Sequence, residues 1–300
     1  MNPASELGSF LMSRRARVTP TAAGLPAFGR RRVAGLRREE VAELAGVSAV
    51  YYTRLEQGRA HNPSDAVLDA LARVLRLDAT ERVHLYDLLH RARDRSTAAS
   101  AAGAGEPAAG VPVRDGLRRL LTAVGAVPAY VLSPAMDVLD ANDLAHVLVG
   151  APDPASGGRL NLARHVFLDP AARELYPRWE DVARQTAGFL RFSAGRRPHD
   201  ARLARLVAEL CRHSPEFRSL WATQEVREKS YGTKSFRHPV VGGFDLTYET
   251  LALPGDECRS LAVFTAPDAR ADAALRLLGS WTAPAPTGTP ADNAHHGFGW

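Results

Sequence analysis

The chain has 300 residues, enough for two domains at roughly 150 residues each, and its 45% hydrophobic and 24% charged side chains suit a globular protein. No apolar run reaches the roughly 18 residues needed to cross a bilayer, and the opening "MNPASELGSFLMSRRARV" lacks the pattern of a signal peptide. The net charge is +5, and all of it lies in residues 1–60, where ten Arg stand against five Glu with no Lys or Asp, the footprint of a module that meets a polyanion.

Leu7, Phe10 and Leu11 have helical spacing and predict a first helix over about Ser5 to Arg17. Pro20, Gly24, Pro26, Gly29 and Gly35 then break the pattern. This long loop carries Arg30, Arg31 and Arg32, which either contact backbone phosphates, enter a minor groove, or remain solvated charge. A second helix is expected from Arg37 to Ala45, with Val41, Leu44 and Ala45 inward. A third runs from Ala49 to Gln57, capped by Ser48 and ended by Gly58. Ser64 caps a fourth helix. Asp78 and Glu81 have capping-box spacing at the start of a fifth.

Two helices separated by Gly46-Val47-Ser48 have the form of a helix-turn-helix, in which a glycine supplies the left-handed turn. Val41, Ala42, Ala45, Val47, Tyr52 and Leu55 make the inward surface. Ala49, Val50, Tyr51, Thr53 and Arg54 remain outward on the third helix and face a DNA major groove. Arg54 can read a guanine bidentately or hold a phosphate, and Ala49 and Val50 can meet thymine methyls. Tyr51 meets either the groove or a phosphate. Arg37 and Arg38 stand at a helix N-terminus, where free N–H groups already favour a phosphate. Ser48 and Arg59 complete the candidate DNA-binding set.

The "EEVAELAGVS…RLEQGR…P" pattern resembles the xenobiotic-response-element (XRE) family of Cro/phage-repressor-like regulators. The resemblance implies an all-α, five-helix DNA-binding domain over residues 5–93. It implies that Glu56 pairs with an Arg of the first helix, Arg15 in first place and Arg14 in second. It also puts Arg38 where the family usually has a phosphate-contacting Gln.

Residues 94–112, "DRSTAASAAGAGEPAAGVP", read as a linker, and 283–300 as a disordered tail. Between them, "VRDGLRRLLTAVG" predicts an amphipathic helix, and "AYVL" and "DVLDA" flank a Ser133–Met136 turn as a hairpin. Asn142 or Asp143 caps a short helix. A helical middle follows, then two strand-rich stretches and a last helix. This is an α+β unit with one antiparallel sheet and helices on one face.

Its histidines, His146, His165, His199, His213 and His238, have spacings that suit neither a metal site nor a triad. No G-x-S-x-G elbow occurs. "GAGEPAAG" follows no strand. Cys211 and Cys258 fit a reduced cytoplasm. An enzyme is not expected, nor a metal or cofactor.

The segments "AVGAVPAYVLSPAMDVLDAN", "DPAARELYPRWED", "SPEFRSLW" and "GTKSFRHPVVGGFDLTYETLALP", joined to the helix-turn-helix, resemble the actinobacterial regulators with an MmyB-like ligand-binding domain, over residues 113–282. That resemblance implies a PAS-like domain holding an apolar, fatty-acid-like molecule. The family often has a His after "LW", where this chain has Gln224, which puts ligand specificity in doubt. Pocket candidates are Tyr130, Phe167, Phe189, Phe217, Trp221 and Tyr248, with Leu132, Leu139, Trp179, Phe236 and Phe264 beside them. Each either lines a pocket or simply fills the core. Arg227 and His238 are candidates to meet a carboxylate, or are ordinary surface and strand-end residues. Lys234, Arg237 and His238 lie close together in sequence and suit an acidic ligand head or partner.

The expectation is a cytoplasmic regulator that binds a double-stranded operator as a homodimer, away from membranes. A small apolar ligand would shift its domain arrangement. The alternatives are a C-terminal domain used only for dimerisation or protein docking, or a DNA-tethered enzyme.

Overall fold

The structure is a computed structural model that describes residues 3–26, 33, 35–59, 63–97, 112–149, 160–228, 230–255 and 259–282. Arg30, Arg31 and Arg32, most of the expected linker and the expected tail lie outside the described residues.

Helix α1 (Pro3–Arg17) buries Leu7, Phe10 and Leu11 on one stripe. Helices α2 (Arg38–Ala45) and α3 (Ala49–Glu56) meet at Gly46, which has φ 69° and ψ 30°. An L side chain there would cost about 1–2 kcal/mol. The Ser48 hydroxyl accepts the Tyr51 N–H at 3.1 Å, so the third helix starts where its cap predicts. Leu44, expected inward, is 39% exposed. Helix α2 is short, and Val41, Ala42 and Ala45 already fill the stripe that faces α3 and α4.

Ser64 caps α4 (Asp65–Val74). Asp78 and Glu81 cap α5 (Ala79–Thr97) reciprocally: the Glu81 N–H donates to Asp78 Oδ1 at 2.8 Å and the Asp78 N–H to Glu81 Oε2 at 3.2 Å. Helix α5 runs on to Thr97, four residues into the expected linker, because "DRST" contains no breaker and the first glycine comes at Gly103.

The second unit begins with α6 (Asp115–Ala123). Strands β1 (Ala129–Leu132) and β2 (Val138–Ala141) form the expected hairpin, with Met136 at φ 63° in its turn. The Asn142 side chain accepts the Ala145 N–H at 3.0 Å and so caps α7 (Asp143–Val149). Helices α8 (Leu162–Leu168), α9 (Ala171–Leu175), α10 (Trp179–Arg196), α11 (Ala201–His213) and α12 (Pro215–Ala222) make the helical middle. Strands β3 (Tyr231–His238), β4 (Gly242–Ala252) and β5 (Ser260–Thr265) and helix α13 (Ala269–Thr282) complete the unit. The sheet is antiparallel with order β2-β1-β5-β4-β3. This is the α+β arrangement expected of a PAS-like unit.

Strand alternation divides the sheet's two faces. Tyr130, Leu132, Phe236, Leu246, Tyr248, Ala262 and Phe264 join the main core under the helices. Ala129, Val131 and Leu261 face the other way and pack on Leu117 and Leu121 of α6. The sheet is therefore covered on part of its second face too, where the sequence reading had helices on one face only. The amphipathic stripe of α6 could be buried nowhere else.

The two units share a core. Phe192 of α10 and Val226 pack into the hydrophobic cluster of the first unit, and α5 lies along α10.

The candidate DNA-reading face and ligand-sensing core

The third helix presents the expected face. Val50 is 63% exposed, Ser48 and Arg54 are exposed, and Ala49, Tyr51 and Thr53 are half-buried around them. Tyr52 and Leu55 point inward and are fully buried. The inward anchors and outward side chains alternate as a short helix on a core requires. Arg37 and Arg59 are exposed at either end of the motif.

Glu56 fastens this helix to its neighbours. Its carboxylate accepts Arg15 Nε at 2.7 Å and Arg38 Nε at 2.6 Å. Arg15 is thus the partner on α1, and the runner-up Arg14 has a different task. Burial pushes the Glu56 carboxyl up, but hydrogen bonds from Arg15 and Arg38 outweigh it and hold the pKa below the usual value. The Glu56 bond raises the pKa of Arg38 in turn. Arg38 was expected to anchor a phosphate. It faces Glu56 with one nitrogen while its side chain stays 43% exposed.

Arg14 is only 1% exposed and lies over the Phe10 ring at 4.6 Å. Its Nε is 3.0 Å from Glu81 Oε1, and an Nη donates to the backbone carbonyl of Gln224. Burial lowers its pKa against the pull of Glu81. The neighbouring Ser13 hydroxyl donates to the Thr223 carbonyl at 3.0 Å. From the second unit's side, Arg191 donates to Gln224 Oε1 at 2.7 Å and to the Trp221 carbonyl, and stacks 3.8 Å from the Trp221 ring. The chain Trp221–Arg191–Gln224–Arg14–Glu81 therefore joins the second core to the first unit. Gln224 stands where the family often has a His, a departure that put ligand specificity in doubt. Both of its oxygens are occupied at this joint, and its φ of 58° presents them there. Arg191 was not singled out, and Arg14 only as the second candidate partner of Glu56, because spacing alone does not tell a buried arginine from a solvated one.

The aromatic candidates gather as one cluster. Phe167 packs edge-on against Phe217 at 4.9 Å, and Phe217 stacks on Trp221 at 5.4 Å. Tyr130 and Tyr248 flank Phe264 at 5.6 and 5.9 Å. Phe189 packs against the same core. Arg227 and His238 are not brought together. Arg227 is paired with Glu225 at 2.8 Å ahead of β3. His238 ends β3, a strand roughly 26 Å long at about 3.3 Å per residue. Burial lowers the His238 pKa, and its Nδ1 accepts the Val240 N–H at 3.3 Å. Of the three basic residues close in sequence, Arg237 turns outward and Lys234 lies on the inner face.

Between the two units lies a cleft of about 680 Å³ lined by residues of both, among them Arg14, Arg17, Glu81, Arg227, Gln185 and Tyr248. Among the described residues, no group of three or more His, Cys, Asp or Glu is placed to hold a metal ion. No helix among them is long and apolar enough to cross a membrane.

No curated protein matches the chain. Residues 6–85 match the family described as "Helix-turn-helix domain". Residues 113–278, more than half of the chain, match the family described as "MmyB-like transcription regulator ligand binding domain". A DNA-binding helix-turn-helix joined to a ligand-binding domain is the composition of a ligand-sensing transcription regulator, and the chain belongs to the MmyB-like transcription regulators.

Proposed function

We propose that α3 enters the major groove of a double-stranded operator and that the chain works as a homodimer in the cytoplasm. Arg54 reads a base, Val50 and Ala49 meet thymine methyls, and Arg37, Arg38 and Arg59 hold phosphates. Arg30, Arg31 and Arg32 add phosphate or minor-groove contacts. An apolar, fatty-acid-like molecule held among the aromatic residues of the second unit changes the relative stability of two domain arrangements, and with it operator affinity.

The observation that carries this reading is the joint itself. Trp221 belongs to the aromatic core, and Arg191 and Gln224 link it to Arg14, a residue of the DNA-binding unit. A change in the packing of Trp221 reaches α1 through these hydrogen bonds. The test is an operator selected from random duplexes and titrated by fluorescence anisotropy, with and without apolar compounds extracted from the purified protein. A shifted operator affinity supports the reading. An unchanged affinity at saturating ligand rejects it.

One observation favours the docking alternative. Leu277 and Trp281, one turn apart on α13, are 48% and 62% exposed. If Trp281→Ala abolishes dimers and operator binding together while no compound alters either, the second unit serves assembly only.

A further inference from the structure

The cleft between the two units is lined by charge from both sides. Its volume of about 680 Å³ falls within the range of small-molecule sites, roughly 300–1,000 Å³. Among the described residues, Arg14 and Arg17 stand with Asp78 and Glu81 on the first unit's wall, and Arg227 with Glu225 and Glu228 on the second's. Val226 is the one aliphatic residue of that lining. An apolar body has little to bury against there, so the cleft differs in chemistry from the aromatic core, which it touches through Tyr248.

Most of these charges are spent on one another. Glu81 Oε1 accepts Arg17 Nη1 at 2.7 Å and lies 3.0 Å from Arg14 Nε, while Glu81 Oε2 accepts the Asp78 N–H at 3.2 Å. Asp78 Oδ1 accepts the Glu81 N–H at 2.8 Å. Glu225 Oε1 accepts both Nε and Nη2 of Arg227. What remains is specific. Nε and Nη2 of Arg17 and Nη1 of Arg227 have no hydrogen-bond or ion-pair partner among the described residues, and the two side chains are 58% and 46% exposed. Glu228 has no such partner either. The Tyr231 ring, 74% exposed, lines the same cleft.

We propose that the cleft is a second ligand site and that it takes a free α-amino acid. The carboxylate lies between Arg17 and Arg227, the ammonium meets Glu228, and the side chain covers Tyr231. A guanidinium fork complements a carboxylate, and a carboxylate accepts from an ammonium. Four carboxylates against three arginines repel a phosphate dianion, whereas a zwitterion brings no net charge. This site is independent of the apolar ligand proposed above, and either can fail without the other. An amino acid that touches one arginine of each unit holds the units in the arrangement made by the Arg14–Gln224 joint.

The test is calorimetric titration of the full chain with each common protein amino acid in turn. The tightest binder is then compared with its primary amide, its N-acetyl derivative and inorganic phosphate. At least one amino acid should bind saturably and raise the melting temperature. Its amide and its N-acetyl form should each bind at least about tenfold more weakly, the worth of one charge-assisted hydrogen bond. Arg17→Gln and Arg227→Gln should each weaken the free amino acid by about the same factor. Glu228→Gln should weaken the free amino acid and leave the N-acetyl form unaffected. The proposal is overturned if no amino acid binds, if phosphate or the N-acetyl form binds as tightly, or if both arginine variants bind as the wild type does. The wild-type comparison of the amino acid with its two derivatives decides the matter even if a variant does not fold.

Discussion

The guanidinium of Arg14, on the first helix of the DNA-binding unit, donates to the backbone carbonyl of Gln224, at the end of the last helix before β3. The two residues are 210 positions apart in sequence. Gln224 in turn accepts Arg191 through its side chain at 2.7 Å. Two buried arginines from different units thus share one glutamine. Neither arginine can be removed without taking the partner from one oxygen of Gln224.

Arg14→Met should therefore destabilise the chain by about 3 kcal/mol, the cost of breaking a buried charged pair from one side. Glu81 keeps Arg17 as a partner at 2.7 Å, which holds the loss toward the lower end of that range. Calorimetry should show the joint as well as the stability. The wild type should melt in one transition and Arg14→Met in two, one per unit. A variant that melts in a single unshifted transition would show that the joint carries no coupling.

Gly195 of α10 faces His84 of α5 across the same boundary. A Cβ at this position would lie 2.3 Å from His84 Nδ1. The imidazole is 3% exposed and packed edge-on against Phe10 at 5.2 Å, so it has little room to retreat. Gly195→Ala should cost about 1–3 kcal/mol by overpacking. It should also weaken protection of amide exchange in α5 and α10 before it affects α13. Uniform loss of protection along the chain would locate the strain elsewhere.

The sequence made the first unit legible because its signals are local. Ser48, Gly46, Asp78 and Glu81 fix helix ends through neighbours three or four residues away. The hairpin and the Asn142 cap were legible for the same reason. Leu44 was misplaced because an eight-residue helix has too few turns to define a stripe by spacing. The joint was invisible because Arg14 and Gln224 meet only through the fold of both units. The basic cluster at Lys234, Arg237 and His238 was visible in sequence. Its division between inner and outer faces depends on strand register, which pairs Lys234 with Leu246. Arg227 and His238 looked like equivalent candidates, yet Arg227 lies ahead of β3 and His238 is its last residue.

On DNA, the exposed arginines of the motif should separate by the kind of contact they make. Arg54→Ala should cost about 1–3 kcal/mol on the selected operator and relax preference at one base position. Arg37→Ala should weaken all duplexes alike and reduce the slope of log affinity against log salt by about one. Anisotropy titrations at several salt concentrations, on operator and scrambled duplex, give both quantities. If Arg54→Ala changes only the salt slope, Arg54 holds a phosphate, and base reading passes to Val50, Tyr51 and Thr53.

Glu56 gives the pH dependence its sign. Its folded pKa lies below the ordinary value of 4.5, because bonds from Arg15 and Arg38 outweigh the burial that opposes them. A depressed carboxyl adds stability that is fully present above the unfolded pKa and is lost as pH falls through the folded one. At neutral pH, Glu56→Gln should thus cost about 3 kcal/mol, since Arg15 and Arg38 lose a side chain that is 1% exposed. The difference from wild type should begin to shrink below pH 4.5 and become small once the wild-type carboxyl is itself protonated in the folded state. Asp137, also depressed and bound by Arg202 at 2.7 Å through each oxygen, titrates in the same direction. It is present in both proteins and cancels in the comparison. Urea melts of wild type and Glu56→Gln across the acid range measure the difference directly. A gap as wide in acid as at neutral pH would mean that Glu56 fastens α3 by its shape rather than its charge.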